Sequence, residues 1–237
     1  MPGFGFWAVK LSAAMLVVFL ASLAFPEITA AFRLVSAEIS VHPWILVTYM
    51  FIHSGWLHII YNLSGFVVFG SILEKYAGTK KFLVVFFASG IMAGMGGTLF
   101  YDSMVGASGA VFGVLGCLAV IRPRQLVIAF GIPVSVIGAV IIYALIDIAL
   151  IFSPDSVAHA SHLFGLATGV IIGLELKTRM PRGQKPPKTT EHPTEKELDE
   201  WEEKWMLSSF KESEYLFQCR PPVILQHSHP EYLSRNL

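Results

Sequence analysis

Long apolar runs, each close to the length of a membrane-crossing helix, constrain this chain more than any other feature. The hydrocarbon core of a bilayer is about 30 Å thick, so a helix that crosses it needs roughly 20 apolar residues. Six segments approach this length, at about residues 6–26, 56–77, 80–100, 107–122, 134–152 and 158–176. Only 14% of the residues are charged, and the mean hydropathy is +0.61. The chain is therefore predicted to be an all-α, polytopic membrane protein with six transmembrane helices.

Charge divides the chain into a membrane core and a polar C-terminal extension. Residues 1–176 hold 14 of the 34 Asp, Glu, Lys and Arg residues, and the tail holds the rest. We expect residues 1–176 to form the membrane core, residues 177–190 a basic Pro-rich linker, and residues 191–237 a polar cytoplasmic tail. The first apolar run, behind Lys10, imitates a secretory signal peptide. We expect it to be retained as the first helix, because five further spans follow it.

The tail carries a signature of one amphipathic helix. Thr194 and Glu197 read as a capping box that opens an acidic helix through about residue 213. One stripe of that helix is apolar, at Leu198, Trp201 and Trp205. A cytoplasmic partner for this stripe is one interpretation, and a solvated tail is the other. The net charge of zero gives no sign of nucleic-acid binding.

Lys and Arg in the loops predict the orientation, because they accumulate on the cytoplasmic side. The loops after spans two, four and six are rich in them: Lys75, Lys80, Lys81, Arg122, Arg124, Lys177, Arg179, Arg182, Lys185 and Lys188. The opposite loops contribute only Arg33. We therefore expect a multi-pass protein of the cell membrane with both termini in the cytoplasm.

This topology brings four polar residues from three helices to one depth near the outer face. His58 and Asn62 are one turn apart on span two, Ser108 begins span four, and His162 lies in the first turns of span six. Polar groups in membrane spans are costly, usually face the bundle interior and mark functional sites. Four of them at one level predict a site that faces the outer side.

Glycines line the same helices and predict close packing at this site. They recur at about helical spacing on spans four and six, at Gly106, Gly109, Gly113 and Gly116, and at Gly165, Gly169 and Gly173. Such stripes of small residues let helix backbones approach closely in lipid. Close approach would bring Ser108 and His162 within hydrogen-bond reach. The alternative is a purely structural glycine contact with an incidental serine, and His162 above the facing stripe favours the catalytic interpretation.

The residue types fit nucleophilic catalysis. A serine hydroxyl needs a base, and His162 would take its proton and later return it to the leaving amine. The tetrahedral intermediate needs hydrogen-bond donors, for which the candidates are the Ser108 N–H, the Asn62 amide and the His58 ring.

We expect a catalytic dyad because no acid is well placed to orient His162. Asp155 lies seven residues before it, and Asp147 lies on span five near the outer end. Asp147 is interpreted as a structural partner within or between helices.

Three motifs resemble the signatures of the rhomboid intramembrane serine proteases. They are HSGWLHIIYNLSG at 53–65, GASGAVFG at 106–113 and HASHLFGLATG at 159–169, and the similarity extends to Glu74 and Gly78. The resemblance implies a six-helix core, a Ser108/His162 dyad, and an oxyanion hole from the Ser108 N–H, His58 and Asn62. It also implies cleavage of single-pass transmembrane protein substrates in the lipid bilayer near their outer end, with no metal or cofactor. The substrate would enter laterally near span five.

Two departures from the family pattern leave the catalytic groups intact. Some members have an Arg after the Trp of the first outer loop, where this chain reads Trp44-Ile45. Some have a Tyr four residues after the nucleophile, where this chain has Phe112, which can still stack on the His162 ring.

Alternatives from other functional classes remain open. The histidines His53, His58, His159 and His162 could bind Zn²⁺, but no carboxylate or thiolate joins them in the sequence pattern, and Ser108 and Asn62 would be left without a role. A catalytically silent rhomboid-like scaffold or chaperone, or a transporter, is the other alternative.

The segment 27–55 between the first two spans is rich in aromatic residues. By resemblance it is the partly embedded first outer loop of the family. The second interpretation is an interfacial anchor with a belt of Trp44, Tyr49 and Trp56. His53 is expected to bond the loop backbone.

Overall fold

The structure, a computed structural model, describes residues 5–129 and 131–179, and these residues are mostly helical. All of them belong to one compact unit, Met1–Pro181. The predicted linker from residue 180 onward and the predicted tail at 191–237, with its acidic helix, lie outside the described residues.

Eight helices and four short strands make up the described chain. The helices are α1 (Trp7–Ala24), α2 (Pro26–Phe32), α3 (Ile45–Thr48), α4 (Trp56–Ala77), α5 (Thr79–Gly97), α6 (Ser108–Ile121), α7 (Val136–Leu150) and α8 (His159–Arg179). The strands are β1 (Leu34–Val35), β2 (Ser103–Met104), β3 (Leu126–Ala129) and β4 (Ile132–Ser135). Single 3₁₀ turns occur at Ser36–Glu38 and Tyr49–Phe51.

Four of these helices, α1, α4, α5 and α8, are long and apolar enough to cross a membrane. The apolar helices α6 and α7 are shorter, with 14 and 15 residues. Together the six begin and end within a few residues of the six predicted segments. Helix α8 continues through Arg179, into the first residues of the predicted linker.

A hairpin of strands β3 and β4 occupies the region that the sequence predicted to be a surface loop at 123–133. Leu126 pairs with Ser135 and Ala129 with Ile132 in an antiparallel register. The run of β-branched and apolar residues on both sides of a Gly turn explains the pairing. The described residues therefore contain two short sheets, this hairpin and the two-residue pairing of β1 with β2.

The segment between α1 and α4 folds back onto the helices. Trp44 and Trp56 are about half exposed, as an interfacial belt requires, but Tyr49 is only 2% exposed. Its hydroxyl donates a hydrogen bond of 2.7 Å to the Gly90 carbonyl on α5. Tyr49 therefore anchors this segment to the helix bundle and is not part of the belt.

Helix α6 forms the centre of the core. Every residue from Gly109 to Ala119 except Phe112 is buried. Helices α4, α5, α7 and α8 all pack against it. Ser108, the first residue of α6, therefore belongs to a helix that four other helices contact.

Glu74 ties the start of α1 to the end of α4. Its carboxylate is fully buried and accepts hydrogen bonds from the backbone N–H groups of Gly5, Trp7 and Ala8 and from the Thr79 hydroxyl. N–H groups at a helix start have no intrahelical acceptor, so a carboxylate satisfies them well. Glu74 is therefore a structural residue that fixes the first helix against the bundle.

Candidate active site

The turn before α6 is built around Gly106. This residue has a backbone φ of +114°, which residues other than glycine rarely adopt. Its N–H donates to the Tyr49 carbonyl at 2.9 Å, and a Cβ there would lie only 2.6 Å from His58 Nε2. Gly106 thus lets the turn pass directly beside the His58 ring, and Ser108 follows at the first position of the helix.

Glycines bring the α6 and α8 backbones into direct contact. A Cβ at Gly165 would overlap the carbonyl oxygen of Gly109, and one at Gly169 would overlap that of Gly113. A Cβ at Gly113 would also overlap the side chain of Ser89 on α5. The predicted small-residue stripes of the two helices therefore face each other, and no larger residue fits without separating the helices.

Ser108 and His162 form a hydrogen bond across this contact. Ser108 Oγ and His162 Nε2 are 2.8 Å apart, and the histidine is only 7% exposed. A serine that is to lose its proton must donate to an unprotonated nitrogen. The distance of 2.8 Å lies within the range in which a histidine nitrogen can accept the serine proton.

Phe112 packs flat on the His162 ring. Its ring is stacked on the His162 ring with centroids 4.3 Å apart and an interplanar angle of 13°. The edge of Tyr143 on α7 contacts the Phe112 ring at a centroid distance of 5.7 Å. The stack restricts rotation of the imidazole about χ2 and so keeps Nε2 directed at Ser108.

An acid does contact His162, in contrast to the sequence-based expectation of an unassisted dyad. Asp147 Oδ1 lies 3.1 Å from His162 Nδ1 and 2.6 Å from His159 Nδ1. Asp147 is 3% exposed. The other ring nitrogen of His159, Nε2, lies 3.2 Å from Asp155 Oδ2. The side chains form a continuous row from the loop after α7 to the serine.

The sequence reasoning missed this row because it used separation along the chain. Asp147 and His162 lie on different helices, and which α7 face turns toward α8 is not written in the sequence. One signal was available, since an ionisable residue inside an apolar helix usually faces a partner.

His58 and Asn62 lie on the far side of the same cavity. Asn62 Nδ2 donates to the His58 carbonyl at 2.9 Å, and Asn62 Oδ1 is buried without a partner among the described residues. His58 Nδ1 lies 3.0 Å from Ser54 Oγ. If the Ser54 hydroxyl donates this bond, the proton of a neutral His58 ring is on Nε2, the nitrogen beside Gly106. These two side chains can therefore offer N–H donors to a group bound in the cavity.

The cavity has a volume of about 1280 Å³. Its lining includes all four polar residues that the sequence singled out, namely His58, Asn62, Ser108 and His162, together with Phe112 and Tyr143. A pocket of this size can admit an extended stretch of several residues of a peptide. The serine hydroxyl, the histidine that bonds it and the polar side chains of His58 and Asn62 thus face one space.

His53 borders this site. It is 3% exposed, and its ring meets the His58 ring edge-on at 5.1 Å between centroids. Burial first, and the nearby His58 second, lower the pKa of His53 to about 4. The ring is therefore neutral at physiological pH and supports His58 without adding a charge.

One group of side chains could hold a metal ion. In the part of the chain that the structure describes, the ligand atoms of Asp147, His159 and His162 lie within 4.8 Å of one another. This set differs from the four histidines considered from the sequence, and it includes a carboxylate. A cation such as Zn²⁺ would have to displace the protons between these groups.

The fold and the site together define a helical membrane protein with a serine–histidine pair inside its bundle. A sequence model of the rhomboid domain matches residues 40–179, more than half of the chain. The chain therefore belongs to the rhomboid family, and it is a multi-pass membrane protein.

Curated relatives carry the same family name. The rhomboid protease GlpG of Photorhabdus laumondii is 30% identical over 55% of this chain and 46% of its own length. The putative rhomboid protease YdcA of Bacillus subtilis is 30% identical over 54% of this chain and 65% of its own length. The GlpG of Yersinia pestis is 28% identical over 54% of this chain and 46% of its own length. The chain thus spans about half to two thirds of these relatives.

Proposed function

We propose that this protein is an intramembrane serine endopeptidase that cleaves single-pass transmembrane proteins near their outer end. The observation that carries the proposal is the 2.8 Å hydrogen bond between Ser108 Oγ and His162 Nε2 at the wall of a large cavity. The relatives that are named rhomboid proteases support the same function.

Ser108 is the nucleophile in this proposal and His162 is its general base and acid. As the Ser108 oxygen bonds to the scissile carbonyl carbon, its proton moves to His162 Nε2. His162 then donates that proton to the leaving amine as the carbon–nitrogen bond breaks, which leaves an acyl-serine. Water attacks the ester, gives a proton to His162, and the proton returns to Ser108 when the carboxylic product departs.

Three donors support the oxyanion of the tetrahedral intermediate. The Ser108 N–H is in the first turn of α6, where it has no intrahelical acceptor and where the helix dipole favours negative charge. The His58 ring and the Asn62 amide line the same cavity. Fixed donors of this kind stabilise developing charge in a low-dielectric site without reorganisation.

The length of α6 supports a site inside the thickness of the membrane. Its 14 residues span about 21 Å at 1.5 Å per residue, which is shorter than the roughly 30 Å hydrocarbon core. If its basic C-terminal end, at Arg122 and Arg124, lies at the cytoplasmic surface, Ser108 lies below the outer surface. This orientation puts both termini in the cytoplasm, as the Lys and Arg distribution predicts.

Helix α7 forms a loosely packed wall of the cavity, which suggests where a substrate enters. This helix buries only Val136, Ala139, Val140 and Asp147, whereas α6 buries ten of its residues. Most of its other side chains are apolar and exposed, as lipid contact requires. A transmembrane substrate would pass beside α7 and unwind at the site, since an intact helix hides its carbonyls.

A serine-directed fluorophosphonate tests the proposal on the detergent-solubilised full chain. The wild type should be labelled, and Ser108→Ala and His162→Ala should not. Ser64→Ala is the matched control, because Ser64 lines the same cavity but bonds the Tyr61 carbonyl and has no histidine partner. Its labelling should equal that of the wild type.

Two results would decide against this function. Labelling that survives in Ser108→Ala would place the reactive group elsewhere. A folded wild type that is neither labelled nor active on any single-pass reporter would favour a silent rhomboid-like scaffold, in which the glycines serve only to pack helices.

A further inference from the structure

Asp147 is a buried acid that the proposed chemistry does not use. Within the described ranges its hydrogen-bond partners are two histidines, and both bond the same oxygen, Oδ1. A buried carboxylate is costly unless it is paired with a positive charge and hydrogen-bonded. The question is which partner supplies the charge and which supplies a neutral N–H.

The protons of His162 follow from its two partners. If Nε2 accepts the Ser108 hydroxyl proton, the ring proton of the neutral imidazole is on Nδ1, which faces Asp147 Oδ1 at 3.1 Å. The opposite tautomer would direct a lone pair at the carboxylate and leave the serine as an acceptor only. The surroundings therefore favour the tautomer in which His162 is ready to act as a base.

The charge balance follows from His159. Both of its ring nitrogens face carboxylate oxygens, Asp147 Oδ1 at 2.6 Å and Asp155 Oδ2 at 3.2 Å. A neutral ring would direct one lone pair at a carboxylate, whereas an imidazolium donates to both. His159 is only 4% exposed, whereas the Asp155 side chain is exposed. An imidazolium at His159 offsets the charge of Asp147.

We propose that Asp147 is a positioning residue that makes the site a Ser108–His162–Asp147 triad, with His159 and Asp155 as the charged support of Asp147. This inference rests on the proposed function and adds to it a group outside the serine–histidine pair. Asp147 holds the His162 tautomer and stabilises the imidazolium that forms when Ser108 attacks. Because Asp147 lies on α7, a displacement of this helix would also remove the orienting carboxylate from His162.

Other titratable groups also lie near Asp147, His159 and His162. His58 on α4 faces His162 across the cavity, and Tyr143 lies on α7 one turn before Asp147. On α6 the group that faces His162 is Ser108 itself. Among the described residues, the carboxylate in hydrogen-bond contact with His162 is that of Asp147.

The test is the pH dependence of the fluorophosphonate labelling rate at Ser108. Asp147→Asn keeps the shape and an acceptor oxygen but removes the charge. Labelling should slow by about 10²-fold or more, and the acidic limb of the rate–pH profile should move to lower pH, because the imidazolium loses its counter-charge. The matched control is Asp102→Asn, an exposed carboxylate in the loop before α6, which should match the wild type.

A purely structural Asp147 would give a different pattern. The variant would melt at a lower temperature, but the molecules that remain folded would label at the wild-type rate with an unmoved acidic limb. That result would overturn the inference. If the wild type itself is not labelled although folded, the proposed function fails instead, so the two failures are distinguishable.

A measurement on the wild type keeps the inference testable if Asp147→Asn does not fold. With ¹⁵N-labelled histidine, an imidazole N–H that is hydrogen-bonded to a buried carboxylate gives a downfield, exchange-protected proton signal. We expect two such signals from Nδ1, one of which disappears in His162→Ala. A wild type without the His162 signal would contradict the triad.

Discussion

The contact between Gly165 and Gly109 should control the reactivity of Ser108, and Gly165→Ala tests this. A Cβ at position 165 would overlap the Gly109 carbonyl oxygen, which is backbone and has no alternative rotamer. To reach an ordinary separation of about 3.5 Å, the two helices would have to part by more than about 1 Å. Gly109 follows Ser108 directly, and Gly165 is one turn below His162.

The magnitudes follow from this displacement. Overpacking costs about 1–3 kcal/mol, with the upper end expected against backbone, and alanine in a helix returns about 1 kcal/mol relative to glycine. The net loss of stability is about 2 kcal/mol. The hydrogen bond of 2.8 Å between Ser108 and His162 would lengthen beyond its useful range, and a 1 Å misplacement can cost about 10² in rate.

The assay compares the fluorophosphonate labelling rate with the thermal melting point in detergent. Gly65→Ala on α4 is the matched control, because a Cβ there would meet Val111 at an ordinary 3.6 Å. It should keep the wild-type rate and melt no lower. The packing argument is refuted if Gly165→Ala is labelled as fast as the wild type and melts at the same temperature.

Three further predictions address the donors, the stacked ring and the helix anchor. His58→Ala and Asn62→Ala should each slow cleavage of a reporter by about 10²-fold, as expected for loss of an oxyanion donor. Wild-type rates in both variants would show that neither residue donates to the oxyanion. Phe112→Tyr keeps the ring on His162 and should retain the labelling rate, whereas Phe112→Ala should lower it; equal rates for both would show that the stack has no influence. Glu74→Gln should lower the free energy of unfolding by about 2 kcal/mol, because charge-assisted bonds to the α1 N-terminus are lost, and an unchanged melting point would contradict that role.

The helices were predictable because a helix in lipid requires a long run of apolar residues, which is visible in the sequence. A span must be apolar over its length, so its bounds appear in composition alone, and α4 begins and ends at the predicted residues. The meeting of Ser108 and His162 was predictable for a related reason. The predicted orientation gave them the same expected depth, and the glycine stripes predicted that their helices pack closely.

Other features depended on geometry that sequence does not record. Asp147 reaches His162 only because of the rotation of α7 about its axis, and no spacing rule links two helices in this way. Tyr49 is a residue type that is common at membrane interfaces, yet its hydroxyl donates a hydrogen bond to a carbonyl of α5 inside the bundle. The strands of the hairpin at 126–135 have only four residues each, so the alternation of apolar and polar residues along them is too short to distinguish a strand from a loop.

Reconstituted cleavage tests the central claim most directly. The purified protein in liposomes would be given a single-pass transmembrane reporter, and the new N-terminus of the product would be identified by mass spectrometry. We predict one main cleavage site in the outer part of the reporter span, with product lost in Ser108→Ala and retained in Ser64→Ala. Cleavage that persists in Ser108→Ala, or no cleavage by a folded wild type that binds the reporter, would contradict the account.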